Sequence, residues 1–217
     1  MSKHPLQIDF VSDVACPWCA IGLSSLQQAL ARVRDTVDAQ LVMHPFELNP
    51  AMGPGGEDVV EYLGKKYGRT PEQIAETQAM IRERGAEVGF QFGARTRVYN
   101  TFDAHRLLHW ARIEGKQAPL KLALLKAYHS DGKDPSDHGV LIEAAVSVGL
   151  DAAQARDVLE TGKFADEVRA EEREYQAMGI QSVPAVIFNR QYLVSGGQPV
   201  DVFEQAIRQI VDSTSAS

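Results

Sequence analysis

Strand patterns occupy the two ends of the chain, and helix patterns occupy its middle. A short apolar run over 7–11 and an alternating run over 40–46 predict two strands near the N-terminus. Between them, apolar residues recur at helical spacing over 15–34 and predict a helix. The chain therefore begins with a predicted strand–helix–strand unit.

From about residue 58 to residue 170 the pattern is almost wholly helical. The clearest start is Thr70-Pro71, because threonine caps a helix, proline suits the first helical position and Gln73 completes a capping box. Glycine, proline and capping residues delimit the other segments. The predicted helices span 71–87, 102–114, 119–130, 134–149, 151–159 and 164–178.

Strand signals return near the C-terminus, where 183–188 and 192–195 predict a hairpin. A terminal helix is predicted over 200–211, and the small polar residues 212–217 predict a frayed tail. We therefore expect an α/β fold in which both ends of the chain build one sheet. The expected division is 1–56 and 171–217 for the sheet part, with 57–170 as a helical insertion.

Composition narrows the functional classes. The net charge is −7 and basic residues do not cluster, which argues against a nucleic-acid partner. No apolar stretch approaches the length of a membrane span, and the N-terminus lacks the apolar core of a secretory signal. The sequence therefore predicts a cytoplasmic protein without membrane contact.

The chain contains two cysteines, and both belong to Cys16-Pro17-Trp18-Cys19, between the first strand and the first helix. Unpaired N–H groups and the helix dipole at a helix N-terminus stabilise a thiolate. Cys16 is therefore the predicted nucleophile and Cys19 the predicted resolving thiol. Pro17 and Trp18 shape the turn, and we expect Trp18 to offer a partly exposed platform for substrate.

A zinc site is the main structural alternative for a CxxC motif. It would need two more ligands, and His105 and His109 at spacing i, i+4 are the candidates. Their separation from the motif is far longer than in structural zinc sites, so we predict no metal. The two histidines either line the cleft beside the thiolate or are hydrogen-bonded at an interface, and the pattern favours the second. Arg95 and Arg97 either hold a substrate carboxylate or are solvated loop charges.

Val183-Pro184 is a second candidate feature of the site. An X-Pro bond at a strand start, opposite a redox CxxC, predicts a cis peptide bond. Such a bond would turn the backbone of Val183 toward the sulfurs, where an extended substrate could pair with it like an added strand.

These motifs together resemble the DsbA-like thioredoxin superfamily, and more narrowly the FrnE-like dithiol-disulfide oxidoreductases. Segments 100–106, 179–184 and 196–199 are similar to that subfamily, and the resemblance covers essentially the whole chain. It implies a thioredoxin fold with a large helical insertion, a nucleophile at Cys16 and a cis-proline at Pro184. It also implies exchange with disulfides of proteins or small thiols, without a required cofactor.

Two related groups have the same fold: kappa-class glutathione transferases and 2-hydroxychromene-2-carboxylate isomerases. They usually carry serine at the position of Cys16, and a Ser-Asp pair that holds glutathione at the positions of Gly197-Gln198. The resemblance thus leaves glutathione as a co-substrate and makes Val183, His105, Gly197 and Gln198 candidate substrate contacts. The alternatives are a glutathione-dependent isomerase or transferase and a non-enzymatic ligand- or zinc-binding module. Many relatives dimerise through the helical insertion, so the resemblance leaves a homodimer open.

Overall fold

The computed structural model describes residues 3–215. Its strands are β1 His4–Ser12, β2 Val37–Pro45, β3 Glu57–Asp58, β4 Arg97–Val98, β5 Ala185–Phe188 and β6 Tyr192–Ser195. Its helices are α1 Pro17–Val33, α2 Val59–Tyr67, α3 Pro71–Glu87, α4 Phe102–Ile113, α5 Gln117–His129, α6 His138–Ser147, α7 Ala152–Thr161, α8 Ala165–Ala177 and α9 Val200–Ser215.

The main sheet has the strand order β2-β1-β5-β6, so both ends of the chain build it, as predicted. β1 runs parallel to β2 and antiparallel to β5. On one face, Leu6, Ile8 and Phe10 alternate along β1 and pack with side chains of α1 and α9. On the other face, Val11 packs with Tyr175 of α8. Helices therefore cover both faces, as in an α/β fold.

Helices α4 to α7 form a second core of their own. Its fully buried members include Leu107, Leu120, Leu141 and Ala155, one from each helix. Val14 joins this core from the loop that leads into the CxxC motif. The helical insertion is therefore attached to the sheet directly beside the two cysteines.

Helix α5 is anchored on the edge strand β2 through one side chain. The amide of Gln117 donates to the Met43 carbonyl at 2.8 Å and accepts from the Met43 N–H at 3.0 Å. These bonds replace the strand partner that an edge strand lacks. Lys121 follows one helical turn later and is also buried.

Two helices, α2 and α3, form a separate layer over the CxxC motif. The predicted capping box at the start of α3 is confirmed, with Thr70 and Gln73 bonded reciprocally. Helix α2 lies inside the region predicted as helical, although no separate start was assigned to it. Asp58 caps it by accepting from two backbone N–H groups.

The prediction of a frayed tail over 212–217 is wrong for its described part. Residues 212–215 continue helix α9, while residues 216–217 lie outside the described range. The hydroxyl of Ser213 donates to the Ile210 carbonyl at 2.8 Å, which helps to satisfy the last turn. Among residues 3–215, no helix combines the length and apolarity needed to cross a bilayer.

Candidate active site

The two cysteines occupy the first turn of α1. Cys16 is the N-cap residue with extended backbone, Pro17 is the first helical residue, and the N–H of Cys19 donates to the Cys16 carbonyl at 3.1 Å. No disulfide joins Cys16 and Cys19 in this structure. Cys16 is 3% exposed and Cys19 is fully buried, so only Cys16 reaches the protein surface.

The environments of the two sulfurs shift their pKa values in opposite directions. The Cys19 side chain donates a hydrogen bond that lowers the pKa of Cys16 against the opposing effect of burial, and the backbone N–H groups of Cys19 and Trp18 add to it. Burial raises the pKa of Cys19, and its hydrogen bond to Cys16 raises it further. The pair is therefore polarised toward a Cys16 thiolate and a Cys19 thiol.

The peptide bond between Val183 and Pro184 is cis, as predicted. The Cys16 sulfur lies 3.6 Å from the Val183 carbonyl oxygen, so this backbone segment faces the nucleophile. Close packing against α1 holds the Val183-Pro184 segment in this position. A side chain at Gly22 would contact the Pro184 ring, and one at Gly197 would approach the Trp18 carbonyl to 2.9 Å.

Of the candidate substrate contacts, Val183 lines the active-site cleft, whose described lining does not include Gly197 or Gln198. Gly197 instead packs against the first turn of α1. The Gln198 side chain donates to the Ser195 carbonyl at 2.8 Å. Gly197 therefore packs on the active-site helix, whereas Gln198 is bonded within its own turn.

Asp13 is a buried carboxylate that the sequence analysis did not identify. It accepts hydrogen bonds from the N–H groups of Ala15 at 3.0 Å and Leu48 at 2.7 Å, and from the Thr101 hydroxyl at 2.7 Å. Burial opposes ionisation, but contact with His105 at 3.4 Å and these bonds lower the pKa of Asp13 overall. The sequence did contain a signal for this carboxylate, namely an aspartate three residues before the first cysteine of the CxxC motif.

Lys121 is a second buried charge that the sequence analysis missed. It is 1% exposed, and burial lowers the pKa of its amine, against the attraction of Cys19, Asp13 and Cys16. Conversely, Lys121 opposes the rise in the pKa of Cys19. The signal was a lysine one turn before Leu125, on the face of α5 that is buried.

The two histidines considered as zinc ligands are both engaged in hydrogen bonds away from the cysteine sulfurs. His105 is buried against Asp13, and His109 Nδ1 lies 3.1 Å from Glu171 Oε1 while its ring stacks on Phe164. Among residues 3–215, no three His, Cys, Asp or Glu side chains are grouped as metal ligands. The histidines are interface residues in this structure.

The active-site cleft, about 640 Å³ in volume, lies between the CxxC motif and the layer of α2 and α3. Cys16, Pro17, Trp18 and Val183 line one side. Arg95 also lines it and donates to the Ala15 carbonyl at 3.2 Å. Arg97 is engaged elsewhere, because it donates to the carbonyls of 55 and 56. The cleft size suits a small molecule or a short chain segment.

A thioredoxin-type sheet, a helical insertion and a CxxC motif at a helix N-terminus define a DsbA-like thiol oxidoreductase fold. Residues 7–208 match the family model of the DSBA-like thioredoxin domain, and the chain belongs to this family. The resemblance seen in the sequence is therefore confirmed at the level of the superfamily.

Solved structures agree with this assignment. The chain is 36% identical to the probable DsbA oxidoreductase SCO1869 from Streptomyces coelicolor, with a TM-score of 0.88 over 94% of this chain and 89% of that one. A 2-hydroxychromene-2-carboxylate isomerase gives a TM-score of 0.73 at 12% identity, covering 97% and 98%. The cytosolic disulfide reductase DsbM from Pseudomonas aeruginosa, solved with GSH, gives 0.66 at 17%, covering 95% and 99%. The last two show similarity of fold alone.

Proposed function

We propose that this chain is a thiol-disulfide oxidoreductase that works through Cys16 and Cys19. The observation that carries the proposal is the placement of both cysteines in the first turn of α1, with the Cys16 sulfur 3.6 Å from the Val183 carbonyl oxygen beside the cis Pro184. The opposite pKa shifts of the two thiols support it, because they supply a nucleophile at Cys16 and keep the second thiol protonated until it is needed. Segments 100–106, 179–184 and 196–199 support the FrnE-like subtype, and we propose that the protein acts in the cytoplasm.

The exchange proceeds in two displacements. The Cys16 thiolate attacks one sulfur of a substrate disulfide, and the other half of the substrate leaves as a thiolate. Cys19 then loses its proton and attacks the Cys16 sulfur, which releases the second half. The substrate disulfide gains two electrons, the cysteine pair becomes a disulfide, and the two leaving thiolates take up protons. The reverse sequence oxidises a substrate dithiol.

Val183 and Trp18 have roles in holding the substrate in this proposal. The backbone of Val183 faces Cys16 and offers hydrogen-bonding edges to an extended chain next to the reacting sulfur. Trp18 is partly exposed and lines the same cleft, so it provides an apolar contact. No cofactor is required, and glutathione enters as a possible exchange partner.

The test compares Cys16→Ser with Cys19→Ser in insulin reduction and in oxidation of a reduced protein. We expect both variants to lose turnover, and only Cys19→Ser to accumulate a mixed disulfide at Cys16 that mass spectrometry detects. Turnover retained by Cys16→Ser would rule the proposal out. Full activity of Cys19→Ser toward a small electrophile, with saturable glutathione binding, would instead support the isomerase or transferase function.

The reduction potential of the pair adds a second measurement. Equilibration in glutathione buffers, followed through Trp18 fluorescence, should give a reversible two-electron transition. A potential near about −120 mV would indicate an oxidant like DsbA, and one near about −270 mV a reductant like thioredoxin. Absence of any transition would contradict a working redox couple.

A further inference from the structure

Lys121 is a buried amine without a hydrogen-bond partner among the described residues. It is 1% exposed, and Cys19, Asp13 and Cys16 attract its charge without accepting a hydrogen bond from it. Burial lowers the pKa of the amine, which favours its neutral form. A buried donor that is left unpaired is costly in either form. The Lys121 amine therefore requires a partner other than the described side chains.

A cavity beside Lys121 fits that partner, and we call it the inner cavity. It lies where β2, α4, α5 and α8 meet, and its volume of about 10 Å³ is enough for one water molecule. Lys121 and His105 line its buried side. His109, Glu171 and Arg112 line the side nearer to solvent, with 13%, 17% and 32% of their side chains exposed. This lining provides the two to four polar partners that a buried water molecule needs.

The inner cavity is separate from the active-site cleft, since no described residue lines both. The separation matters in the second displacement of the proposed exchange. At that moment one half of the substrate is still bound to Cys16 and occupies the cleft. Cys19 is fully buried and must lose its proton before it can attack. A route for the proton on the other side of the cysteine pair avoids the substrate.

Three histidines line the inner cavity, and His109 is the one suited to carry a proton to solvent. Both ring nitrogens of His44 contact carboxylates at 3.0 Å. His105 is 3% exposed, so it has no direct access to solvent. His109 contacts Glu171 at 3.1 Å and Arg112 at 3.2 Å through Nδ1, while its Nε2 has no partner among the residues that the structure describes. Imidazole gains and loses protons near neutral pH.

We propose that a water molecule in the inner cavity carries the Cys19 proton from Lys121 to His109, which releases it to solvent. Cys19 gives its proton to the neutral Lys121 amine, and its thiolate attacks the Cys16 sulfur. The second half of the substrate leaves with the electron pair of the mixed disulfide bond. The ammonium then passes one proton through the water to Nε2 of His109. This inference rests on the proposed exchange, and His109 acts through Lys121 without touching the reacting sulfurs.

The test uses Ellman's reagent, because the second release of coloured thiol reports the attack by Cys19. His109→Phe keeps an aromatic ring against Phe164 and removes the ring nitrogens, and Glu171 keeps Arg112 as a partner. The second phase should slow by about tenfold, less than the usual contribution of a positioned proton acceptor, because a slower escape of the proton remains. The first phase, which needs no proton from Cys19, should not change.

A second variant distinguishes a proton carrier from a packing residue. His109→Ala removes the whole ring and makes room for a molecule of imidazole from the buffer. At constant pH, added imidazole should return the second phase of this variant toward the wild-type rate, and it should leave the wild-type protein unaffected. A loss of packing would not respond to the buffer.

His138→Ala is the matched control. It also removes a histidine that contacts a carboxylate, since His138 Nε2 lies 2.8 Å from Asp103 Oδ2. It lies on the helical insertion, outside the described lining of the inner cavity. Both phases should keep their wild-type rates. The thermal midpoints of the three variants check that they fold.

Two results would overturn the inference. The second phase could keep its wild-type rate in His109→Phe, which would mean that the proton leaves through the cleft. Alternatively, it could slow in both variants without responding to imidazole, which would leave His109 with a packing role. Failure of the proposed function is distinguishable, because then no second release would follow the first in the wild-type protein.

Discussion

At the residue scale, the two cysteines differ because one hydrogen bond shifts their pKa values in opposite directions, while burial raises both. The Cys19 thiol donates to Cys16, which lowers the pKa of Cys16, while full burial raises the pKa of Cys19. The helix N-terminus contributes through its backbone N–H groups. The nucleophile therefore depends on its partner even before any disulfide forms.

Replacing Cys19 separates these contributions. Cys19→Ala removes the donor and should raise the pKa of Cys16, whereas Cys19→Ser keeps a hydroxyl donor and should raise it less. The absorbance of the thiolate at 240 nm, followed against pH, gives both midpoints. Midpoints unchanged from the wild type in both variants would assign the low pKa to the backbone N–H groups and the helix dipole instead.

Lys121 is positioned to assist the second displacement. Burial lowers the pKa of its amine, which is attracted to Cys19, and we predict that this amine accepts the proton that a fully buried thiol must lose. Lys121→Met removes this acceptor and the favourable charge near the Cys19 thiolate. The resolving step should slow by about a hundredfold at neutral pH, the lower end of the usual contribution of a positioned proton acceptor.

A reaction with Ellman's reagent separates the two steps. The first release of the coloured thiol reports attack by Cys16, and the second reports resolution by Cys19. In Lys121→Met the second phase alone should slow, and its rate should rise with pH over a wider range than in the wild-type protein. An unchanged second phase, in a variant of normal thermal midpoint, would show that Lys121 has only a packing role.

At the element scale, local signals in the sequence were sufficient for most helices and strands. The capping box at Thr70 and the strand that begins after Pro184 were found because their determinants lie within a few residues. The roles of Asp13 and Lys121 were missed because their burial results from the meeting of the β1–α1 loop with α5. Helix α9 runs past 211, beyond its last packed apolar side chain, so the hydrophobic pattern alone did not predict its end.

A charged network ties the helical insertion to the sheet. His44 of β2 contacts Asp9 of β1 at 3.0 Å and Glu171 of α8 at 3.0 Å, and Glu171 also binds Arg112 of α4. Burial would lower the pKa of His44, but its two carboxylate partners raise it overall. The interactions with His44, His109 and Arg112 hold the pKa of Glu171 well below its usual range.

The raised pKa of His44 in this network predicts the direction in which the unfolding free energy changes with pH. A histidine whose pKa is raised by folding contributes stability in full below its unfolded pKa of about 6.5, and loses it as pH rises through the folded value. His44→Gln should therefore cost about 1–2 kcal/mol of unfolding free energy near pH 6, and clearly less near pH 9. Urea unfolding at both values measures this. A cost that grows with pH would contradict the charged state assigned to His44.

At the scale of the whole molecule, the distribution of charge matters more than its sum. The chain has a net charge of −7, which by itself repels an anionic substrate. The cleft nevertheless presents Lys66, Arg69 and Arg95 without carboxylate partners among the described residues. The positive cleft therefore predicts that added salt slows the reaction of an anionic substrate. The negative net charge predicts that added salt accelerates it.

The dependence of the oxidation rate on ionic strength shows whether the positive cleft or the negative net charge has the larger effect on an anionic substrate. If the cleft dominates, the rate of Cys16 oxidation by oxidised glutathione should fall as salt rises from about 0.02 M to about 0.5 M, because added ions screen the attraction. If the net charge dominates, the rate should rise, because the same ions screen a repulsion. A neutral disulfide such as hydroxyethyl disulfide is the control and should respond little. Because the Debye length is about 30 Å at 0.01 M salt, a falling rate would also show that the positive patch acts on the approaching substrate, before contact is made.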